Sequence, residues 1–143
     1  MAKEIKNRYL EKLGIKRNEH STNFCNDEND PRQNRWAKQR RNYGFDDRET
    51  WNLDHIYIEW LYSHLMMYKK VTIVDMKKDM LYDVVVAKDK VIPQISMKDA
   101  LDFMLKELET YLTDRNKDFW TEVRPELFEA LHMFADTFQA WWW

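Results

Sequence analysis

Glycine is almost missing from this chain: Gly14 and Gly44 are the only two in 143 residues. Two isolated glycines cannot build the Gly-rich loop that cradles a phosphate at a helix start, so that class of nucleotide site is excluded. Together with only three prolines, they are also too few for the many tight turns of an all-β fold. Cys25 is alone, which excludes an intramolecular disulfide and a cysteine-based zinc framework, and no neighbouring base marks it as a nucleophile. Ser21, Ser63 and Ser96 lie in no nucleophile-elbow setting. No apolar run approaches the roughly 18 residues that span a bilayer. The opening MAKEIKNRYLEKLG is charged and amphipathic rather than signal-like, so the expectation is a cytoplasmic protein with no membrane partner.

What is plentiful is aromatic and charged. Seven Trp, seven Tyr and seven Phe supply a bulky core, and 34% charged residues supply helix surfaces. The expected fold class is all-α: one domain over residues 1–143, a helical bundle of four to five helices. The net charge of −2 hides a split: residues 1–48 hold 12 Lys/Arg against 8 Asp/Glu, and the rest hold 11 against 17. Such a split marks either a nucleic-acid-binding end or one domain with a mildly basic side.

Apolar spacing places the elements. Ile5, Tyr9, Leu10 and Leu13 predict a helix over 3–13 that stops at Gly14. Residues 15–29 are polar and aperiodic, a loop. Asp30-Pro31 reads as an N-cap with Pro at the first helical position, opening a basic helix that ends at Gly44. A central helix is expected from about Asp46-Asp47, whose carboxylates suit the positive end of its dipole. Leu53, Ile56, Tyr57, Trp60, Leu61, His64, Leu65 and Tyr68 mark its buried face, with His64 a hydrogen-bonded core histidine. Residues 71–95 are an irregular connection, read as a short helix plus an extended stretch ending at Pro93, with a small hairpin as the alternative. Ser96 resembles a capping-box start for a helix over 97–113. A last helix starts between Thr121 and Pro125 and carries Leu127, Phe128, Leu131, Phe134, Ala135, Phe138, Trp141 and Trp142 to the end.

Three constellations could carry chemistry. The basic helix holds Arg32, Arg35, Trp36, Lys38, Arg40 and Arg41, a nucleic-acid-binding candidate if Trp36 stacks on a base and a surface helix pinned by one anchor if it does not. His55 and Glu59 sit four apart beside Asp54, but no second ligand pair and no His-Glu-x-x-His accompany them, so neither a metal nor a cofactor is expected. Six residues separate Arg48 from His55, which resembles the outer limit of the arginine–histidine spacing in the HEPN ribonucleases, also all-α proteins. That likeness implies a weak ribonuclease using Arg48 and His55. At the other end, Trp141-Trp142-Trp143 either closes the bundle or, through Trp142 and Trp143, forms a protein-contact surface.

Tyr43-Gly44-Phe45-Asp46-Asp47, then Thr50-Trp51-Asn52-Leu53-Asp54, resembles a motif of small bacteriophage and prophage proteins. These share a Tyr-Gly-Phe-Ser/Asp stretch, a Trp-x-Leu-Asp helix start, a long amphipathic helix and an aromatic terminus like Ala140-Trp141-Trp142. The likeness covers residues 40–70 well and the last twenty loosely. It implies a phage or mobile-element protein in a bacterial host cell, and it carries no catalytic residue over. The expected function is therefore non-enzymatic: protein–protein interaction with a host or host-defence factor, or with a second copy as a homodimer. Nucleic-acid binding by the basic helix and the ribonuclease reading are the alternatives.

Overall fold

The computed structural model describes residues 7–15, 29–50, 53–114 and 122–141. Among them run α1 (Arg8–Lys12), α2 (Gln33–Tyr43), a 3-10 turn (Asp47–Thr50), α3 (Leu53–Val71), β1 (Met80–Ala87), β2 (Lys90–Ser96), α4 (Met97–Thr113), α5 (Pro125–Thr137) and a second 3-10 turn (Phe138–Ala140). Helix accounts for about 64% of these residues and β1–β2 form a two-stranded antiparallel sheet, so the fold is mixed and the all-α expectation is corrected. The chain groups into two compact units, Met1–Leu61 and Tyr62–Trp143, with the boundary inside α3.

In the first unit each glycine ends a helix. Gly14 (φ 75°) follows α1; its N–H reaches the Glu11 carbonyl and that of Ile15 reaches Leu10, the paired bonds of a Schellman stop. Leu10 and Ile15 are both buried there. The N-cap of α1 is Asn7, whose Oδ1 accepts from the Tyr9 and Leu10 N–H groups. Gly44 (φ 83°) caps α2 and donates to the Arg40 carbonyl. Helix α2 begins two residues later than the Asp30-Pro31 reading, because Asp30 and Pro31 make the turn that enters it: the Gln33 N–H reaches the Asp30 carbonyl and the Arg32 N–H reaches Asp30 Oδ1.

The central helix also departs from expectation. Asp46 and Asp47 do not open it; they lie at the first 3-10 turn, and α3 is helical from Leu53. Its buried side is Ile58, Leu61, Tyr62, Leu65 and Tyr68, whereas Leu53, Tyr57, Trp60 and His64, expected inside, are exposed. Helix α3 has a wide apolar face that offers two stripes of helical spacing, and its buried side takes only one.

In the second unit β1 and β2 pair from Met80↔Ser96 to Ala87↔Lys90 around Lys88-Asp89. The favoured short helix of 71–95 is thereby replaced by the hairpin. Asp83 takes φ 53° between the pairs Tyr82↔Gln94 and Val84↔Ile92, opposite Pro93, which has no N–H to donate. Val84 and Val86 are buried and Val85 is exposed, the alternation of a sheet with one face covered. The cover is α5, which packs on β1 and on α4. Helix α4 spans the range its spacing predicts, and Ser96 Oγ accepts the Asp99 N–H at 3.0 Å. Helix α5 begins at Pro125 and yields to the 3-10 turn at Phe138, earlier than expected. Its inner side is Leu127, Ala130, Met133 and Thr137, while Phe128 and Phe138 of the expected stripe are exposed. Trp141 is half-buried: its Nε1–H donates to Thr137 Oγ1 and its ring meets Tyr68 edge-on, centroids 5.7 Å apart.

Tyr62 is buried and donates its hydroxyl to Glu109 Oε2 at 3.2 Å. Burial, with the Glu109 charge and hydrogen bond added, pushes its pKa up to about 12. The folded state therefore holds this proton where an unfolded tyrosine, near 10, has lost it. Stability from Tyr62 is complete below pH 10 and is lost as pH rises through 12. Ultraviolet titration of tyrosinate should show one group ionising near pH 12 that disappears in Tyr62→Phe, and a Tyr62 that titrates near 10 would contradict the contact.

Candidate functional site

The basic helix meets its partners across the Gly44 turn. Arg32, which immediately precedes α2, and Arg35, Trp36, Gln39 and Arg40 on it share a side by i, i+3 and i, i+4 spacing. The left-handed Gly44 turns the chain so that Asp46 and Asp47 come to that side. Asp46 is only 1% exposed. Arg48 grips it bidentately, Nε to Oδ1 at 2.9 Å and Nη2 to Oδ2 at 2.8 Å, while the Arg48 backbone N–H reaches Oδ1 at 3.1 Å. Arg40 Nε donates to Oδ2 from the other side. The Arg48 guanidinium stacks 4.2 Å from the centroid of the buried Trp36 ring, and that of Arg32 lies 5.0 Å from it. Planar, weakly hydrated guanidinium is the cation suited to such a position. Burial pushes the Asp46 pKa up, and the neighbouring Arg40 opposes that push.

Asp47 takes the next layer. Trp36 Nε1 donates to its Oδ1 at 2.7 Å, Arg35 Nη2 lies 2.8 Å from Oδ2, and Gln39 Oε1 accepts the Asp47 N–H at 3.1 Å. Asp30 holds Arg32 through two bonds of 2.9 and 2.7 Å, and these hold its carboxyl at about 2. Of the six residues that suggest nucleic-acid binding, Arg32, Arg35 and Arg40 are thus paired and Trp36 is buried beneath guanidinium. Lys38 and Arg41 are exposed and, among the described residues, make no ion pair. Arg48, the arginine of the ribonuclease reading, is bound to Asp46. His55 Nδ1 lies 3.1 Å from Asp54 Oδ2, with the imidazole 17% exposed. Glu59 is buried, and among the described residues no three His, Cys, Asp or Glu converge on a metal position. Trp142 and Trp143 lie outside the described residues.

Two open grooves lie among the described residues of the second unit. One, of about 410 Å³, runs between α3 and α4 past Met66, Lys69, Asp102, Leu105 and Glu109. Lys69 and Lys98 both bond Asp102 there; burial pushes that carboxyl up, but the two ammonium groups outweigh it and hold it below the usual range. The other, of about 420 Å³, lies between β1 and the end of α5, lined by Leu81, Tyr82, Val84 and Asp136–Ala140. It forms where cover by α5 runs out: Val84 and Val86 are buried, but Tyr82 is 67% and Phe138 59% exposed. Asp136 Oδ2 accepts the Val85 N–H at 3.0 Å and fixes the groove wall. Sequence spacing could not find this groove, because Tyr82 belongs to a strand read as helix and Phe138 to a stripe read as core.

No protein-family model, curated protein or solved structure matches the chain.

The Asp46 cluster makes a direct stability prediction. Removing one partner of a buried ion pair leaves the other charge uncompensated, so Asp46→Ala and Arg48→Ala should each cost about 3–5 kcal/mol in urea unfolding. Arg35→Ala, at an exposed pair, should cost about 1 kcal/mol or less. Equal, small losses for all three would show that the cluster does not hold the first unit.

Proposed function

We propose that this is a non-enzymatic protein of phage or mobile-element origin that acts in a bacterial cytoplasm by binding another protein, a host or host-defence factor. The observation that supports this is the groove at the aromatic end of α5. Tyr82 and Phe138 are large exposed rings that line one groove together with Leu81, Val84 and the carboxylate-bearing Asp136. Aromatic side chains with an apolar body and a polar tip are the usual anchors of protein contacts, and rigid ones lose little entropy on binding. The arginines of α2, by contrast, largely serve Asp30, Asp46 and Asp47. Among the described residues no helix is long and apolar enough to cross a membrane.

Affinity capture from host lysate with the full chain tests the reading against Tyr82→Ser/Phe138→Ser. Exposed substitutions of this kind change stability by roughly 0.5 kcal/mol or less, so the melting temperature should stay nearly constant. The expected outcome is a host protein retained by the parent chain and lost from the double variant. Capture that is undiminished by the double variant would remove the groove as the contact surface. In parallel, salt-sensitive retention of DNA or RNA, lost in Lys38→Ala/Arg41→Ala, would favour the nucleic-acid reading instead.

A further inference from the structure

We propose that the groove between β1 and the end of α5 takes an extended basic peptide, which adds to the free edge of β1 as a third strand. The proposal rests on this groove being the contact surface and names the kind of segment that fills it. Among the described residues β1 pairs only with β2, so each strand leaves one edge open. Val85 gives its N–H to Asp136 Oδ2 at 3.0 Å, so its backbone donor points away from β2. Pairing holds one register from Met80↔Ser96 to Val85↔Val91. Inward- and outward-facing residues alternate in an antiparallel pair, so Leu81 also turns its N–H and carbonyl away from β2. The opposite edge is less suited, because Pro93 in the middle of β2 has no N–H to offer. A cleft bounded by a strand edge and a helix is a recurring setting for strand addition.

Asp136 Oδ2 stands where the carbonyl oxygen of a neighbouring strand would accept. From that point the groove follows Val84, Tyr82 and Leu81 on one side and Phe138 on the other. A peptide carbonyl takes over the Val85 N–H, and the carboxylate released from it then needs a cation. That exchange selects a basic segment. Among the described residues lining the groove, Asp136 alone is charged. Neither it nor Asp83 of the same strand joins an ion pair among the described residues. An arginine on the peptide meets Asp136 with its N–H groups and lays its planar face on the exposed ring of Tyr82 or Phe138. The same charges oppose a second copy as occupant, since pairing β1 with itself brings the carboxylates of two copies to one edge with no cation in either groove. Asp83, left-handed at φ 53°, interrupts the regular edge between Leu81 and Val85. The matching segment is therefore short, roughly five residues.

Fluorescence polarisation on the full chain, with labelled heptapeptides of valine alternating with arginine, serine or glutamate, tests this. The arginine peptide should bind about tenfold more tightly than the serine peptide, and the glutamate peptide should not bind. N-methylation of alternate amides should abolish binding in one register and leave it intact in the other, because one set of N–H groups faces β1. Asp136→Asn, which keeps a side-chain acceptor for Val85, should erase the preference for arginine. The N-methylated peptides leave the protein unaltered and stay decisive should that variant lose its fold. Binding that survives methylation in both registers overturns strand addition, and equal binding of the arginine and serine peptides overturns the selection for charge. Failure of every peptide overturns the proposal. If a host protein is still captured through Tyr82 and Phe138, the groove remains the contact surface and only the strand mode falls. A mass that doubles from 17.7 kDa in light scattering, and reverts in Tyr82→Ser/Phe138→Ser, makes a second copy the occupant and overturns the proposal as well.

Discussion

A carboxylate with almost no access to water organises the first unit. Asp46 receives three hydrogen bonds from Arg48, including its backbone N–H, and one from Arg40, and the Arg48 guanidinium in turn lies over the Trp36 ring. Desolvating such a group is expensive, and attraction to the arginines repays it only while the geometry holds. That geometry depends on the Gly44 turn, since its left-handed backbone directs Asp46 and Asp47 back to the side of α2 that carries the arginines. One helix stop, one buried charge and one indole thus define how α2 and the 3-10 turn lie together. The same contacts limit what the basic helix can offer a ligand, because a guanidinium held by a buried aspartate has fewer donors and less freedom left for a phosphate.

The second unit is built the opposite way, by apolar cover with little buried charge. Helix α5 lies over Val84 and Val86 and presents Leu127, Ala130 and Met133 inward, with α4 beside it. A two-stranded hairpin is marginal alone and needs this packing. The hairpin is longer than α5 can cover, and the excess is the Tyr82–Phe138 groove. Helix α3 shows the same arithmetic: more apolar surface than its core face uses. The aromatic groove is the surface proposed to meet another molecule.

Local signals read well wherever one pattern had one solution. Ser96 followed by Leu101, Met104, Leu105 and Leu108 admits a single helix and a single face, and Gly14 and Gly44 stop helices by conformations that glycine alone adopts easily. The hairpin was only half legible. Lys88-Asp89 lacks the Asn-Gly signature of a two-residue turn, and Met80, Leu81, Val84 and Val85 fit a helical repeat as well as a strand, so the all-α reading lost no local consistency. The face of α3 was misread because Leu53, Tyr57 and Trp60 keep the same period as Ile58, Leu61 and Leu65, and periodicity does not rank two stripes. The arginines were legible as a basic helix, but their partners were not. Asp46 and Asp47 fit the start of the next helix, and only the turn between them and α2 shows that they face backwards.

Hydrogen exchange at two side-chain protons tests the central claim, that the polar groups of the first unit hold its fold together. The Nε–H of Arg48 donates to Asp46 and the Nε1–H of Trp36 to Asp47, and both donors belong to buried residues. If the cluster is structural, these two protons exchange only through opening of the unit, far more slowly than the Nε–H of an exposed arginine such as Arg41, and adding single-stranded nucleic acid leaves them unchanged. Exchange of Arg48 and Trp36 as fast as that of Arg41, or its acceleration by nucleic acid, would contradict the account.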